Sequence, residues 1–149
     1  MKGADDFTTL SDDEFSSAFD NWKIAYSIAP ASDGGRPFHF TDGREFYRAM
    51  AAKATDDAKK KEYTARLLEF YDEEKACYPG AKGYLTGRKG YDMFYLQGYS
   101  MEAIDVLEQA MTEGGNESEY IFLAPLGQLL NYFFKTEQID KARVRELYD

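Results

Sequence analysis

The chain has 149 residues, long enough for one domain with a real core and short for two. Eighteen basic against 27 acidic residues leave a formal charge of −9, with the acids spread along the sequence. That balance excludes a nucleic-acid partner: the one basic run, Lys59-Lys60-Lys61, lies between Asp56, Asp57 and Glu62 and reads as a solvated helix face.

No stretch approaches the roughly 18 uninterrupted apolar residues of a membrane span, so no membrane insertion is expected. The first six residues, Met1 to Asp6, are polar where a secretory leader would be apolar. Cys77 stands alone, which rules out a disulfide within the chain. The 12 Tyr, 11 Phe and one Trp need burial, and amphipathic tyrosine suits helix seams with wet edges.

Residues 1–10 are expected to be loosely ordered and 11–149 to form a single helical-repeat domain. Ser11-Asp12-Asp13-Glu14 is a capping box with acids on the positive end of a helix. Phe15, Phe19, Trp22, Tyr26 and Ala29 follow as one stripe at helical period, and Pro30 ends it. The turn-rich stretch from Ala31 to Arg36 forms a loop closed by Pro37. A second helix is predicted from near Thr41 to Lys53, with Phe46, Tyr47, Met50 and Ala54 facing inward. Thr55 is the expected cap of a third, long helix carrying Tyr63, Leu67, Phe70, Tyr71 and Tyr78 as far as Pro79-Gly80.

A fourth helix runs from about Tyr84 to Leu96 and ends at Gly98. Ser100 caps a fifth, with Ile104, Leu107 and Met111 in its stripe and Gly114-Gly115 as its stop. Asn116 with Glu119 reads as the cap pair of a sixth helix, from Glu117 to Phe134, in which Pro125 predicts a bend. Thr136 caps a seventh through Leu147, packing with Ile139, Ala142 and Leu147. Nothing alternates with period two, and the fold class is all-α.

The pentapeptide Gly43-Arg44-Glu45-Phe46-Tyr47 returns forty-four residues later as Gly87-Arg88-Lys89-Gly90-Tyr91. Met50 and Phe94 each lie seven places after the glycine, and Pro30 and Pro79 end the preceding helices. Gly127, with Asn131 and Phe134, forms a worn third copy. A period of this length marks stacked helical hairpins. Glycine inside a helix costs up to about 1 kcal/mol, and what it gives is close approach, so that a neighbouring aromatic lies in the gap. The arginine after it either clamps carboxylates or carbonyls or looks into a groove. If the three glycines mark first helices, the first and seventh helices are both second helices and the leading hairpin is incomplete.

These residues resemble a tetratricopeptide-type protein. Ala18, Trp22, Ala25 and Pro30 have the spacing of that family's second helix, and Ala103, Leu107 and Ala110 repeat it with Gly115 in the place of proline. Tyr47 and Tyr91 come four residues after glycine where the family has three, and the forty-four-residue spacing exceeds its roughly thirty-four. The run from Gly83 to Asp92, with the helix from Trp22 to Pro30, is similar to the amino-terminal part of exported tetratricopeptide-repeat proteins of bacterial cell envelopes. The resemblance implies antiparallel hairpins stacked as a short right-handed superhelix of about seven helices. It also implies a place in a longer envelope or periplasmic protein, and brings no catalytic residues with it.

Chemistry-bearing constellations are sparse. His39, the single histidine, sits between Phe38 and Phe40 without a nearby ligand or nucleophile and reads as structural. Asp12-Asp13-Glu14, Asp56-Asp57 and Glu73-Glu74 read as helix-start and solvent-face charges, and none has the alternation of a calcium loop. Asn116-Glu117-Ser118 matches a glycosylation acceptor, which helix capping explains with fewer assumptions. No enzyme activity, catalytic residue, metal or cofactor is expected. The leading expectation is a non-catalytic scaffold whose concave face, lined by the second, fourth and sixth helices, receives a protein or peptide through Arg44, Tyr47, Arg88, Tyr91 and Tyr95. The alternatives are an envelope glycan-binding module using flat tyrosine rings, and a small helical hydrolase acting through His39. An incomplete leading hairpin is also expected to support a homodimer.

Overall fold

Helix α1 (Asp12–Ile28) starts where the capping box places it: the Glu14 N–H donates to Ser11 Oγ at 3.4 Å, and the Ser11 N–H donates to Glu14 Oε2 at 3.0 Å. The computed structural model describes residues 7, 9–32 and 34–148, and among these every regular element is helical. Seven α-helices fall into two compact units, one ending at Cys77 and one beginning at Tyr78. The loose amino-terminal segment expected at residues 1–10 falls mostly on residues 1–6 and 8, outside those described. Phe7 is described, and its ring stacks on Phe46 at 3.9 Å.

The first unit contains α1, α2 (Phe38–Lys53) and α3 (Asp57–Cys77). Helix α2 begins three residues before the expected Thr41, because Pro37 stands at its cap and its carbonyl accepts from the Phe40 and Thr41 N–H groups at 3.1 and 3.0 Å. Proline has a fixed helical φ, and the N–H it lacks would have no partner at a helix start. Asp56, not Thr55, caps α3: the Lys59 N–H donates to Asp56 Oδ1 at 2.9 Å. Helices α2 and α3 form a hairpin across the short 54–56 turn. Its core is Phe40, Phe46, Leu67 and Phe70, with Trp22 of α1 laid across it. Of the predicted α2 stripe only Phe46 is fully buried; the inner face is Phe40, Gly43, Arg44, Phe46, Ala49 and Ala51.

The second unit opens with a 3₁₀ turn, Pro79–Ala81, and continues through α4 (Lys82–Gln97), α5 (Met101–Gly114), α6 (Leu123–Lys135) and α7 (Lys141–Tyr148). Gly98, at φ 85°, ends α4 in a conformation that disfavours a side chain, and Ser100 Oγ accepts from the Ala103 N–H at 3.1 Å to start α5. Leu107, Ile104, Ala103 and Ala110 form the buried face of α5.

Between α5 and α6 the expectation fails. Asn116 and Glu119 do not cap α6; two 3₁₀ turns, Gly115–Glu117 and Tyr120–Phe122, fill the interval and delay α6 to Leu123, and Glu119 stands before the second turn without a side-chain cap bond. Pro125 therefore sits in the first turn of α6, where its missing N–H has no intrahelical acceptor and no bend is required. Thr136 is also reassigned: it ends α6, its hydroxyl donating to the Tyr132 carbonyl at 3.0 Å, while Asp140 Oδ1 caps α7 by accepting from the Arg143 N–H at 2.8 Å. Arg143 ties α7 back to α5 through both oxygens of Glu108, at 3.1 and 2.5 Å.

Candidate functional site

The duplicated glycines lie in comparable helices and do comparable work. A Cβ on Gly43 would stand 2.6 Å from Trp22 Cζ2 and 3.0 Å from Phe70 Cζ; one on Gly87 would stand 3.0 Å from Phe122 Cδ1 and 3.6 Å from Ala110 Cβ. Each notch holds an aromatic ring. In the first unit Trp22 comes from the helix before and Phe70 from the helix after; in the second Phe122 comes from the turn after α5.

The arginines that follow are held inside their own units. Arg44 is buried on α2, and its Nη1 donates to Glu74 Oε2 at 2.5 Å while Nη2 reaches Thr41 Oγ1 at 3.3 Å. Its guanidinium also lies 4.3 Å from the Tyr71 ring centre. Arg88 makes a fork onto Glu119, Nε to Oε2 at 2.8 Å and Nη2 to Oε1 at 3.0 Å, and lies over Tyr84 at 5.2 Å.

Helical spacing puts residues 84, 88, 91 and 95 of α4 on one face, and the repeat aligns them with 40, 44, 47 and 51 of α2. The two rows differ in cover. On α2, Phe40 is buried against Tyr26, and Tyr47 is boxed by Phe19, Trp22, Tyr63 and Phe70. On α4, Tyr84 is 51% and Tyr95 54% exposed, and Tyr91 pairs with Tyr95 at 4.5 Å between ring centres.

Phe94, buried beside them, is met edge-on by Tyr95 at 5.0 Å and by Tyr99 at 5.4 Å. Tyr99 in turn lies 4.4 Å from Tyr132 of α6. Tyr99 and Tyr132 are 50% and 43% exposed. The result is a line of tyrosines, 91, 95, 99 and 132, rooted on buried Phe94 and Phe133. None of the four hydroxyls hydrogen-bonds to another described residue. Sequence reasoning named Tyr91 and Tyr95 but missed Tyr99 and Tyr132. Tyr99 is in a turn and Tyr132 is off the buried stripe of α6, so neither carries a periodicity signal.

His39 lies at the start of α2, where its carbonyl accepts from Trp22 Nε1 at 2.8 Å and its ring lies 3.5 Å from Ser32 Oγ. Burial pushes the Asp42 carboxyl up, against a smaller pull downward from His39. Glu73 is the hub of a second cluster. Burial alone would raise its carboxyl, but hydrogen bonds from Arg66 (2.6 Å) and from the Tyr26 hydroxyl outweigh it and hold the group below its ordinary range. The described residues contain no cluster of three or more His, Cys, Asp or Glu placed to hold a metal ion. No described helix is long and apolar enough to cross a membrane.

The motif residues behind the tetratricopeptide resemblance fall on α1 (Ala18, Trp22, Ala25) and α5 (Ala103, Leu107, Ala110), where Trp22 and the α5 triplet are buried. No family profile, curated protein or solved structure matches the chain.

Proposed function

We propose that this protein is a non-catalytic helical scaffold that binds a protein or peptide partner through Tyr91, Tyr95, Tyr99 and Tyr132. The observation that carries this is the line of partly exposed tyrosines whose hydroxyls have no hydrogen-bond partner among the described residues. Rings of this kind combine a large apolar area, few rotatable bonds and a polar tip, the composition of interaction hot spots. Arg44 and Tyr47, first expected in the contact set, are already committed to the first hairpin, and Arg88 stands at the rim with its fork on Glu119.

The test is an immobilised full-length chain offered peptide and glycan arrays beside a Tyr95→Ser/Tyr132→Ser variant. Peptide binding that the variant loses, with an unchanged melting curve, is the expected outcome. Equal binding by both proteins would refute the reading. The same hydroxyls and flat faces favour glycan binding as a second reading, and glycan-array signals lost in the variant would support that one instead. Trp22 is out of reach of a sugar, since it is buried and its Nε1 is bound to the His39 carbonyl. Self-association belongs to the same proposal: Ile24 and Ile28 are exposed on α1, and light scattering behind a sizing column would read it. The envelope setting implied by the resemblance is carried with it.

A further inference from the structure

We propose that helix α7 exchanges between two copies of this chain, each copy seating the other's α7 against its own α5 and α6. The proposal goes beyond the partner-binding reading and uses none of the tyrosines that carry it.

Helix α7 is held by contacts that are easily given up and easily remade. None of residues 141–147 is buried. Arg143 forks onto Glu108 of α5 at 3.1 and 2.5 Å, with the two side chains 30% and 35% exposed. One residue on, Val144 faces α6 across a cavity of about 200 Å³ that it lines with Gly127, Leu130, Asn131 and Phe134. A close-packed seat would leave no such space, so releasing α7 sacrifices little packing. The seat it vacates is specific all the same: a carboxylate beside an apolar hollow. The occupant that matches both is another α7, with the same guanidinium and the same valine next to it.

The link between α6 and α7, residues 136–140, favours the exchange. The Glu137 N–H donates to the Phe134 carbonyl at 3.1 Å and the Gln138 N–H to the Phe133 carbonyl at 2.9 Å, a reversal that turns the chain back at the end of α6. Its pivot takes a left-handed conformation that glycine usually supplies. Here the pivot is Glu137 at φ 58°, the one non-glycine residue at positive φ among those described. Straightening the link removes that strain, twice in each dimer, while the contacts of α7 are kept. Short hinges under strain invite such swapping.

Charge reversal tests this on the full-length chain. Arg143→Glu alone and Glu108→Arg alone each bring like charges together, whether α7 stays at home or exchanges among identical copies. Mixed one to one, the two variants regain both pairs only by exchange. After joint unfolding and refolding, light scattering behind a sizing column should show a dimer for the mixture and a monomer for each variant by itself. Hydrogen-exchange protection in α4 and α5 verifies that each variant is folded. A mixture that stays monomeric would overturn the proposal. So would an equal dimer from either variant alone, which would place association on another face, such as Ile24 and Ile28 of α1. Adding Glu137→Gly to both variants should lower the association constant of the mixed dimer by about tenfold or more, because two hinges lose the strain that opens them. An unchanged constant would also overturn it.

Discussion

Gly43→Ala sets two opposed effects against each other at one methyl group. In an open helix the change would stabilise by about 1 kcal/mol, the difference in helix propensity. At this position the new Cβ would lie 2.6 Å from Trp22 Cζ2 and 3.0 Å from Phe70 Cζ, well inside the separation of about 3.5–4.0 Å at which carbons attract. Neither ring yields easily. Trp22 is tethered by its bond to the His39 carbonyl at 2.8 Å, and Phe70 is fully buried. Overpacking of a close-packed core costs about 1–3 kcal/mol, and two stiff aromatic neighbours favour the upper half of that range. Offset by the propensity gain, the net expectation is a loss of about 1–2 kcal/mol. Urea unfolding followed by the fluorescence of Trp22, the one tryptophan, reads this in the unit where the change is made. Gly80→Ala, where nothing lies within 4 Å of the added carbon, is the control and should stay within about 0.5 kcal/mol of the parent. A Gly43→Ala midpoint equal to or above the parent's would refute the close-approach account of the repeated glycine.

Arg44→Met is expected to destabilise the protein by about 3–5 kcal/mol, because it strands Glu74 in the core, whereas Arg44→Met with Glu74→Leu should recover most of the loss in the same urea titration. The pH dependence around Glu73 follows from its lowered carboxyl: its contribution is present above 4.5 and is lost as pH falls through the lower folded value. Melting curves of the parent and Glu73→Gln should therefore differ at neutral pH, by no more than about 1 kcal/mol for this partly exposed group, and converge in acid. Tyr26 is raised, first by burial and then by its bond to Glu73, so its contribution holds below 10.0 and fades as pH rises beyond, which Tyr26→Phe should abolish in alkaline melts. Arg143→Ala cuts the fork onto Glu108, and hydrogen exchange should then show α7 amides losing protection while those of α4 and α5 keep theirs.

Local signals in the sequence located most of the fold, and the errors share a cause. Ser11 with Glu14, Ser100, Gly98 and Gly115 each act through neighbours within four residues, so the residues alone suffice to place them. Thr55 and Thr136 are chemically sound caps, yet in each case an aspartate nearer the helix start takes the bond. Asn116 and Pro125 misled for a different reason. The 3₁₀ turns after α5 bring Phe122 back to Gly87 on α4, a contact thirty-five residues long that no local pattern announces. Of the candidate site, Tyr91 was legible because the repeat marks it, and Tyr95 because it lies one helical turn further on the same face. Arg44 was not legible as an internal residue, because its partner Glu74 is thirty residues away on α3.

The Gly43 notch is closed from both directions along the polypeptide, by Trp22 from upstream and Phe70 from downstream, whereas the Gly87 notch takes Phe122 from downstream. The pentapeptide thus acts as a socket indifferent to the order of what plugs into it. A circularly permuted or lengthened relative would keep the joint intact by furnishing any correctly spaced ring.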